Sequence, residues 1–423
     1  MKHLFAIVLA FFFVEAVAQV PTYDEILKNE ILSNSLENSK EGLKKPYVII
    51  VSIDGFRYDY AEKFGAENIL DIAKEGSSAS RLIPSFPSKT FPNHYTLVTG
   101  LYPQNHGIVS NSFYDKTIND TYSIGKRESV ENGSWYGGTP IWNLAQQQGL
   151  VAASYFWVGS EANINGLHPR YYYPYLKVSP IEYRVQRVKQ WLELPEKIRP
   201  HMITMYYSDV DDKGHAFGPE SEENKEAVLK IDKQIGELRA AIKASGLPIT
   251  LIVTADHGMV EVNQNINVHD YITLEKGQFY SGPVAMIYTK NELEKETFFQ
   301  ALSKQNRFKV YKKEAVPNYL NYNHGDRIGD LVLVADAPDE IIYTEKEMYP
   351  KKPGGTHGYD PFEERKMSTI FYIEGPRIKK GFKLAATENI HVYPLIAEIL
   401  GLKITEPIDG KLEAMSEVLI KEK

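Results

Sequence analysis

Three continuous apolar segments, rich in β-branched residues, constrain the fold of this chain more than any other feature. They are YVIIVSI at 47–53, MITMYY at 202–207 and ITLIVT at 249–254. A strand that is apolar at every position has both faces buried, which is typical of a parallel sheet covered by helices. The three segments therefore predict neighbouring strands at the centre of a large domain.

Helical patterns separate these segments. Residues 180–194 carry apolar side chains on one face, and a longer amphipathic pattern begins after Ser221 and ends before Gly246. Alternating strands and helices predict an α/β fold, a mostly parallel central sheet with helices on both faces. Residues 262–345 are richer in Lys, Asn and Tyr, and we interpret them as a smaller inserted α+β lobe.

Acidic residues and histidines follow each apolar segment. A single aspartate after a strand is usually a helix cap, and a single histidine is usually a structural residue. In open α/β sheets, however, ligands bind at the carboxyl ends of the strands, where these side chains would meet. Carboxylate and imidazole groups without sulfur suit Zn²⁺ or Mn²⁺. The candidate ligands are Asp54, Asp211, His215, Asp256, His257 and the late His357.

Composition limits the possible functions of the protein and its possible location in the cell. The net charge of −7 argues against a nucleic-acid scaffold, which works by neutralising phosphates. Residues 1–18 have a basic start, an apolar run and a small-residue end, which predicts a signal peptide followed by one domain at 19–423. The apolar run is too short for a transmembrane anchor. An exported chain without cysteine fits a bacterial periplasm or cell exterior.

The stretch 84–107 contains one hydroxyl in an unusual setting, that of Thr90. Pro87 and Pro92 fix their own φ angles and keep the preceding residues extended. Thr90 is therefore expected in a stiff turn before a short helix closed by Gly100. It is either a helix cap or a nucleophile, and as a nucleophile its weakly acidic hydroxyl needs activation.

Seven motifs are spread over nearly the whole chain after residue 18. They are IDGFR (53–57), PSKTFPNHYTLVTGLYPQNHGI (84–108), FWVGSEANING (156–166), DVDDKGHAFGP (209–219), TADHGM (254–259), DRIGDLVLVAD (326–336) and GTHGYD (355–360). In sequence and in order they resemble the motifs of the nucleotide pyrophosphatase/phosphodiesterase family. The resemblance implies an alkaline phosphatase-like fold and a hydrolase of phosphodiester and diphosphate bonds.

This resemblance implies two Zn²⁺ ions per chain, with Thr90 as the catalytic nucleophile. Thr90 would form a covalent phosphothreonine, which a water on the second zinc then hydrolyses. Asn111 and the backbone N–H after Thr90 would hold a non-bridging phosphate oxygen. The implied ligands of one zinc are Asp54, Asp256, His257 and the Thr90 hydroxyl, and those of the other are Asp211, His215 and His357.

The resemblance also implies a small-molecule substrate, a nucleotide or another phosphodiester, with Phe91, Tyr172 and Tyr206 lining the base pocket. Aromatic faces stack on any base, at about 1–3 kcal/mol per base. Plain core packing is the alternative for the tyrosine run at 171–173. Both interpretations of these tyrosines therefore stay open.

Three positions bear on how far the resemblance extends. Asp209 lies two residues before Asp211, where family members carry a different sequence, and is therefore a rival metal ligand. Ser112 stands where a lysine often follows the phosphate-binding asparagine, which bears on nucleotide preference. We expect a structural role for His94, because a zinc-activated hydroxyl needs no separate base.

Other functions are weighed against this one. A phosphomonoesterase usually has an arginine or lysine on the phosphate, and we find no convincing arginine near Thr90. A lipid head-group phosphodiesterase differs only in its pocket walls and stays as an alternative. A sulfatase lacks support because the chain has no cysteine. An inactive binding protein is expected to lack a ligand or the nucleophile, and here all seven positions are filled.

Overall fold

The computed structural model describes residues 22–262, 264–323, 325–344 and 354–421. The predicted signal peptide at 1–18 and the predicted lobe end at residue 345 lie outside these ranges. Among the helices described, none combines the length and the apolar character that crossing a membrane requires.

Short and long strands alternate with helices along the chain. The strands are β1 (Ile31–Leu32), β2 (Tyr47–Ile53), β3 (Ser77–Ala79), β4 (Leu82–Ile83), β5 (Ser112–Asp115), β6 (Asp120–Ser123), β7 (Ala152–Tyr155), β8 (Tyr171–Tyr173), β9 (Met202–Tyr207), β10 (Ile249–Thr254), β11 (Val260–Val262), β12 (Gln264–Asn267), β13 (Phe279–Tyr280), β14 (Val284–Ile287), β15 (Phe308–Lys312), β16 (Leu331–Ala335), β17 (Asp339–Ile342), β18 (Gly354–Thr356), β19 (Phe371–Glu374), β20 (Phe382–Leu384) and β21 (Thr387–Glu388). The α-helices are α1 (Tyr23–Leu27), α2 (Tyr60–Phe64), α3 (Glu67–Glu75), α4 (Thr90–Thr99), α5 (Pro103–His106), α6 (Arg127–Glu131), α7 (Ile141–Gln147), α8 (Glu182–Glu193), α9 (Asp209–Phe217), α10 (Glu222–Ser245), α11 (Glu292–Leu302) and α12 (Val392–Leu400).

A nine-stranded sheet forms the centre of the molecule, in the order β1-β8-β7-β9-β2-β10-β19-β3-β20. The three apolar segments are its neighbouring strands β9, β2 and β10, and they run parallel. Pairing is antiparallel at one edge and beside β10, where β19 reverses direction. The sheet is therefore mixed, with a parallel centre, and the predicted α/β class is confirmed.

Side chains of β2 alternate between two cores, one on each face of the sheet. Val48 and Ile50 belong to the core that includes residues of α4, α7 and α12. Ile49 and Val51 belong to the core that includes residues of α3, α8 and α10. Because every residue of β2 is buried, this strand lies between two helical layers, as its unbroken apolar sequence predicts.

A second sheet of four strands, in the order β13-β14-β16-β15, lies within the predicted lobe. Its strands also alternate: Val284 and Met286 pack into one of the large cores, while Ala285 and Ile287 face a separate core of the lobe. One face of this sheet is thus fastened to the main body.

Candidate active site

The carboxyl ends of β2, β9 and β10 meet at one edge of the central sheet. Asp54 follows β2, and Asp256 and His257 follow β10. After β9 the chain enters α9 at once, so that Asp211 and His215 lie on a helix. The four-residue spacing from Asp211 to His215 places both side chains on the same face of that helix.

One cluster consists of Asp54, Asp256 and His257, all buried, whose ligand atoms lie within 4.8 Å of one another. His257 Nε2 is 3.3 Å from Asp54 Oδ1 and 2.9 Å from Asp256 Oδ2. The Thr90 hydroxyl is 3.1 Å from the same Nε2 atom. The structure thus brings together the four residues expected at the first metal.

A second cluster consists of Asp211, His215 and His357, with ligand atoms also within 4.8 Å. Asp211 Oδ1 is 3.4 Å from His215 Nε2 and 3.7 Å from His357 Nε2. The rings of His257 and His357 stack with centroids 3.4 Å apart. The two clusters therefore adjoin, as a pair of metals clamping one phosphate requires.

Backbone carbonyls fix the orientation of all three histidines. The Nδ1 atoms of His215, His257 and His357 lie 2.8, 3.0 and 3.0 Å from the carbonyl oxygens of Gly355, Gly258 and Ser88. A carbonyl only accepts a hydrogen bond, so each Nδ1 carries the proton. Each Nε2 lone pair is then directed into the site and is free to bind a metal.

The carboxylates need a positive charge that the described residues do not supply. Asp54 Oδ1, Asp211 Oδ1 and Asp256 Oδ2 are buried and accept no hydrogen bond from the described part of the chain. Burial and the Asp256 and Asp211 carboxylates raise the pKa of Asp54 well above its usual range. Buried, unsatisfied carboxylates facing imidazole lone pairs fit divalent cations with oxygen and nitrogen ligands.

Thr90 is the first residue of α4, and Lys89 occupies the N-cap position in an extended conformation. The helix closes at Gly100, which adopts a left-handed conformation. The N–H of Phe91 donates to Asn111 Oδ1 at 3.0 Å. Asn111 therefore stands beside the helix N-terminus, where backbone N–H groups and the helix dipole favour an anion.

A cavity of about 340 Å³ opens from Thr90 and Asp211. The aromatic part of its wall consists of Phe91, Phe156, Trp157, Tyr175 and Tyr206. Arg127 and the buried Glu161 form an ion pair of 2.7 Å in the same wall. Such a mixture of aromatic faces and a few polar groups suits a flat, polar heterocycle.

The family model for type I phosphodiesterase / nucleotide pyrophosphatase matches residues 48–360. The chain belongs to this family. The match begins at β2 and ends just past His357, so it contains every member of both clusters.

Individual relatives in the family are similar over most of this chain. A protein named venom phosphodiesterase from Macrovipera lebetinus is 37% identical over 410 residues, 93% of this chain and 47% of the relative. Ectonucleotide pyrophosphatase/phosphodiesterase family member 3 from Bos taurus is 34% identical over 394 residues, 90% of this chain and 44% of the relative. The chain spans less than half the length of these relatives.

Solved structures of the family show the same fold. Human ectonucleotide pyrophosphatase/phosphodiesterase 5 superposes with a TM-score of 0.82 at 32% identity, covering 89% of this chain and 100% of that one. The murine protein of the same name, described as an inactive threonine-to-alanine variant in complex with AMP, gives the same scores and coverage. The predicted alkaline phosphatase-like architecture is therefore confirmed.

The structure corrects the expectation for Tyr172. In β8, Tyr171 and Tyr173 face the core beside Trp191, and alternation turns Tyr172 to the other face, where it stacks on His168. It is not among the residues that line the cavity around Thr90. Tyr175, beyond the end of the strand, takes that place.

Tyr206 lines the cavity as expected, but its hydroxyl also has a second partner. It donates to Asp54 Oδ2 at 2.6 Å, and this bond leaves Asp54 Oδ1 directed toward His257. The family resemblance that implied a pocket residue gave no sign of this bond. Only the parallel pairing of β9 with β2 places Tyr206 beside Asp54.

Two further expectations can be compared with the structure. Asp209 begins α9 and belongs to neither cluster, whereas Asp211, two residues later, faces His215 and His357. His94 is fully buried, and its Nδ1 lies 3.0 Å from the Thr90 carbonyl oxygen and 3.3 Å from Asp256 Oδ2. His94 thus links the first turn of α4 to Asp256, in line with the structural role expected of it.

Arg127 and Glu161 are pocket residues that sequence reasoning did not single out. Glu161 lies in the motif FWVGSEANING, and its Oε1 accepts the N–H of Tyr175 at 2.9 Å. The acid within this largely apolar motif was a signal in the sequence for a pocket residue, because a buried acid needs polar partners. Its partner Arg127 lies far away in sequence and carried no comparable signal.

Proposed function

We propose that this protein hydrolyses phosphodiester and pyrophosphate bonds of nucleotides and their derivatives, releasing nucleoside 5′-monophosphates. The observation that carries the proposal is the position of Thr90. Its hydroxyl adjoins the first metal-ligand cluster and opens into the aromatic cavity. The names of the relatives, phosphodiesterases and nucleotide pyrophosphatases, support the reaction class.

Two Zn²⁺ ions fit the two clusters. Asp54, Asp256, His257 and Thr90 would hold one ion, and the second cluster would hold the other. Bound zinc lowers the pKa of a coordinated hydroxyl and neutralises the negative charge that develops on the attacking and leaving oxygens. The free Nε2 lone pairs and the unsatisfied carboxylate oxygens are the features of this chain that support the assignment.

The residues of the chain then divide the reaction into two displacements. Thr90 Oγ1 attacks phosphorus and forms a phosphothreonine ester as the bond to the leaving oxygen breaks, and the hydroxyl proton passes to the leaving group. Water attacks the same phosphorus from the vacated side, breaks the bond to Thr90 and releases the nucleoside monophosphate, while one proton of the water restores the Thr90 hydroxyl. Asn111, next to the helix N-terminus, is placed to donate its amide N–H to a non-bridging oxygen throughout.

The aromatic cavity is the proposed nucleoside site. Phe91 follows the nucleophile directly, so a base held against it lies at a fixed distance from the phosphorus. Tyr175 and Tyr206 stand in the same wall, their rings 6.0 Å apart. Aromatic faces stack on bases and also attract quaternary ammonium groups, so the comparison of substrates below decides between nucleotide esters and the choline-type esters of the alternative function.

We also propose that the protein is exported. The support is the pattern at 1–18 together with the names of its relatives, which are venom and ecto-enzymes.

The reaction class is tested by comparing three substrates: the p-nitrophenyl esters of thymidine monophosphate and of phosphorylcholine, and p-nitrophenyl phosphate. We expect the nucleotide ester to have the highest kcat/KM, and a chelator to abolish its turnover. Higher kcat/KM for the monoester would identify a phosphomonoesterase, and higher kcat/KM for the choline ester a lipid head-group enzyme.

The nucleophile is tested with Thr90→Ala and the matched variant Thr90→Ser. Loss of the hydroxyl should lower kcat by about three orders of magnitude or more, with the AMP affinity retained. The serine variant keeps a hydroxyl and should still form an acid-stable phosphoenzyme, detectable by mass spectrometry after rapid quenching. A Thr90→Ala protein with undiminished turnover would disprove the covalent mechanism.

A further inference from the structure

The side chain of Lys89, directly before Thr90, runs into the protein instead of toward solvent. The residue is 9% exposed. Its Nζ lies 3.4 Å from the Ser281 carbonyl oxygen, 3.5 Å from the Val284 carbonyl oxygen and 3.5 Å from Ser110 Oγ. Within the described residues, the hydrogen-bond partners of this ammonium are all uncharged oxygens. Such burial of a cation is costly, so the position calls for an explanation.

Two glycines make room for this side chain. Gly282 has a φ of +135°, and a Cβ there would lie 2.9 Å from Lys89 Nζ. Gly358 has a φ of +122°, and a Cβ there would lie 3.2 Å from Lys89 Cε. Both glycines have backbone conformations that other residues rarely adopt. The backbone therefore approaches the lysine from two sides, and a Cβ at either position would crowd its side chain.

The segments that surround Lys89 each lead to the active site or to the second sheet. Ser110 precedes Asn111, the proposed donor to the phosphate. Gly358 follows His357 of the second cluster. The carbonyls of 281 and 284 belong to the connection into β14, the strand whose Val284 and Met286 pack into the main core.

We propose that Lys89 is a positioning residue, whose buried ammonium fastens the start of α4, and with it the Thr90 hydroxyl, to the backbone that leads into the second sheet. This inference rests on the proposed role of Thr90 as nucleophile. It also gives the lobe a role in catalysis, because the carbonyls of 281 and 284 provide a fixed anchor behind the nucleophile.

The physical basis is the sensitivity of an in-line attack to geometry. Misplacement of a reacting group by about 1 Å can cost about 100-fold in rate. Thr90 is the first residue of its helix, and a helix end moves more readily than a helix interior. An ammonium within 3.4–3.5 Å of three acceptors on two separate segments adds an electrostatic restraint to that of packing.

The test is Lys89→Met, which keeps the length and volume of the side chain and removes its charge and donors. We expect kcat for the thymidine monophosphate ester to fall about 100-fold, with KM changed by less than about threefold and the zinc content unchanged. The formation of phosphothreonine, measured by rapid quenching, should slow by the same factor as kcat.

Rescue separates positioning from a loss of folding. Because the chain contains no cysteine, Lys89→Cys has a single thiol. Its thiolate displaces bromide from 2-bromoethylamine in the unfolded protein, giving a lysine analogue with sulfur in place of one methylene. After refolding with zinc, the aminoethylated variant should regain most of the kcat that Lys89→Met lost, and the wild type carried through the same steps serves as reference.

Lys116→Met is the matched control. Lys116 also links the main body to the lobe, by an ion pair of 2.6 Å with Asp330, but it lies on the surface. Its loss should leave kcat unchanged. The proposal would be overturned if the control lost as much kcat as Lys89→Met. It would also be overturned if Lys89→Met were as fast as the wild type or contained less zinc, or if the aminoethylated variant did not regain kcat. If Lys89→Met cannot be purified, Lys89→Gln is judged by the same criteria. A wild type inactive on every diester would instead refute the proposed function.

Discussion

Tyr206 has two contacts that belong to different parts of the reaction. Its ring lines the cavity proposed for the nucleoside, and its hydroxyl donates to Asp54 Oδ2. Hydrogen bonds to the second oxygen of a metal-binding carboxylate fix its orientation and commonly contribute about 10–100-fold to metal affinity. A single side chain, that of Tyr206, thus connects the proposed nucleoside cavity with the first cluster.

Removing only the hydroxyl, in Tyr206→Phe, should separate these contacts. We expect the zinc affinity of the first cluster to fall by about 10–100-fold, because Asp54 loses the bond that orients it. KM for a nucleotide ester at saturating zinc should change little, since the aromatic ring remains. The rate and extent of zinc transfer to a chromogenic chelator measure the effect.

Tyr175→Phe is the control for that experiment. Tyr175 lines the same cavity, but its hydroxyl lies 3.4 Å from Ser208 Oγ and does not contact either cluster. Its zinc transfer should match that of the wild type. Indistinguishable zinc affinities for Tyr206→Phe and the wild type would show that the Asp54 bond has no influence on the metal.

At the scale of elements, one arginine joins the segments that follow strand β2, helix α9 and strand β10. Arg57, three residues after Asp54, donates to both Asp59 oxygens at 2.6 and 3.0 Å and to Glu220 at 2.7 Å. It also donates to the Met259 carbonyl oxygen at 3.4 Å. The loops after β2, α9 and β10 are thereby held together beneath the metal ligands.

Arg57→Met should therefore loosen both clusters at once. Bonds to charged groups contribute about 1.5–3 kcal/mol each, so we expect a loss of about 3 kcal/mol in the free energy of unfolding. Zinc affinity should fall at both clusters, measured by calorimetric titration of the metal-free protein. Unfolding in urea gives the stability.

Arg239→Met is the matched case without a role at the site. Arg239 forms a two-fold ion pair with Glu374, at 2.8 and 2.9 Å, and touches none of the three loops. The Arg239→Met variant should have a lower free energy of unfolding than the wild type and the same zinc affinity. If both arginine variants bind zinc as the wild type does, the loops are held by other contacts.

The strands β2, β9 and β10 could be predicted because uninterrupted burial leaves an unbroken apolar sequence. The ligand groups could be predicted because strand ends and an i, i+4 pair are local features. Residues such as Tyr175 could not, because their place depends on which face a short strand presents and on where it ends.

For the molecule as a whole, the two metal-ligand clusters are where segments distant in sequence come together. They join residues after β2 and β10, helix α9, and His357, which comes after the lobe in sequence. Without a cation, the two buried carboxylates of Asp54 and Asp256 and the half-buried one of Asp211 lie close together, and their repulsion opposes folding. A bound metal ion therefore strongly stabilises the folded state, because the unfolded chain cannot bring these ligands together.

Removal of metal should accordingly lower the melting temperature of the whole molecule. Free zinc at about 100 times its dissociation constant stabilises the folded state by about 2.7 kcal/mol per site, so treatment with a chelator should lower Tm by several degrees in calorimetry. Asp211→Asn should lose part of this zinc-dependent stabilisation, whereas Asp209→Asn, which belongs to neither cluster, should keep all of it. The reverse result would make Asp209 the ligand, and a Tm unaffected by the chelator would show that the clusters fold without a cation.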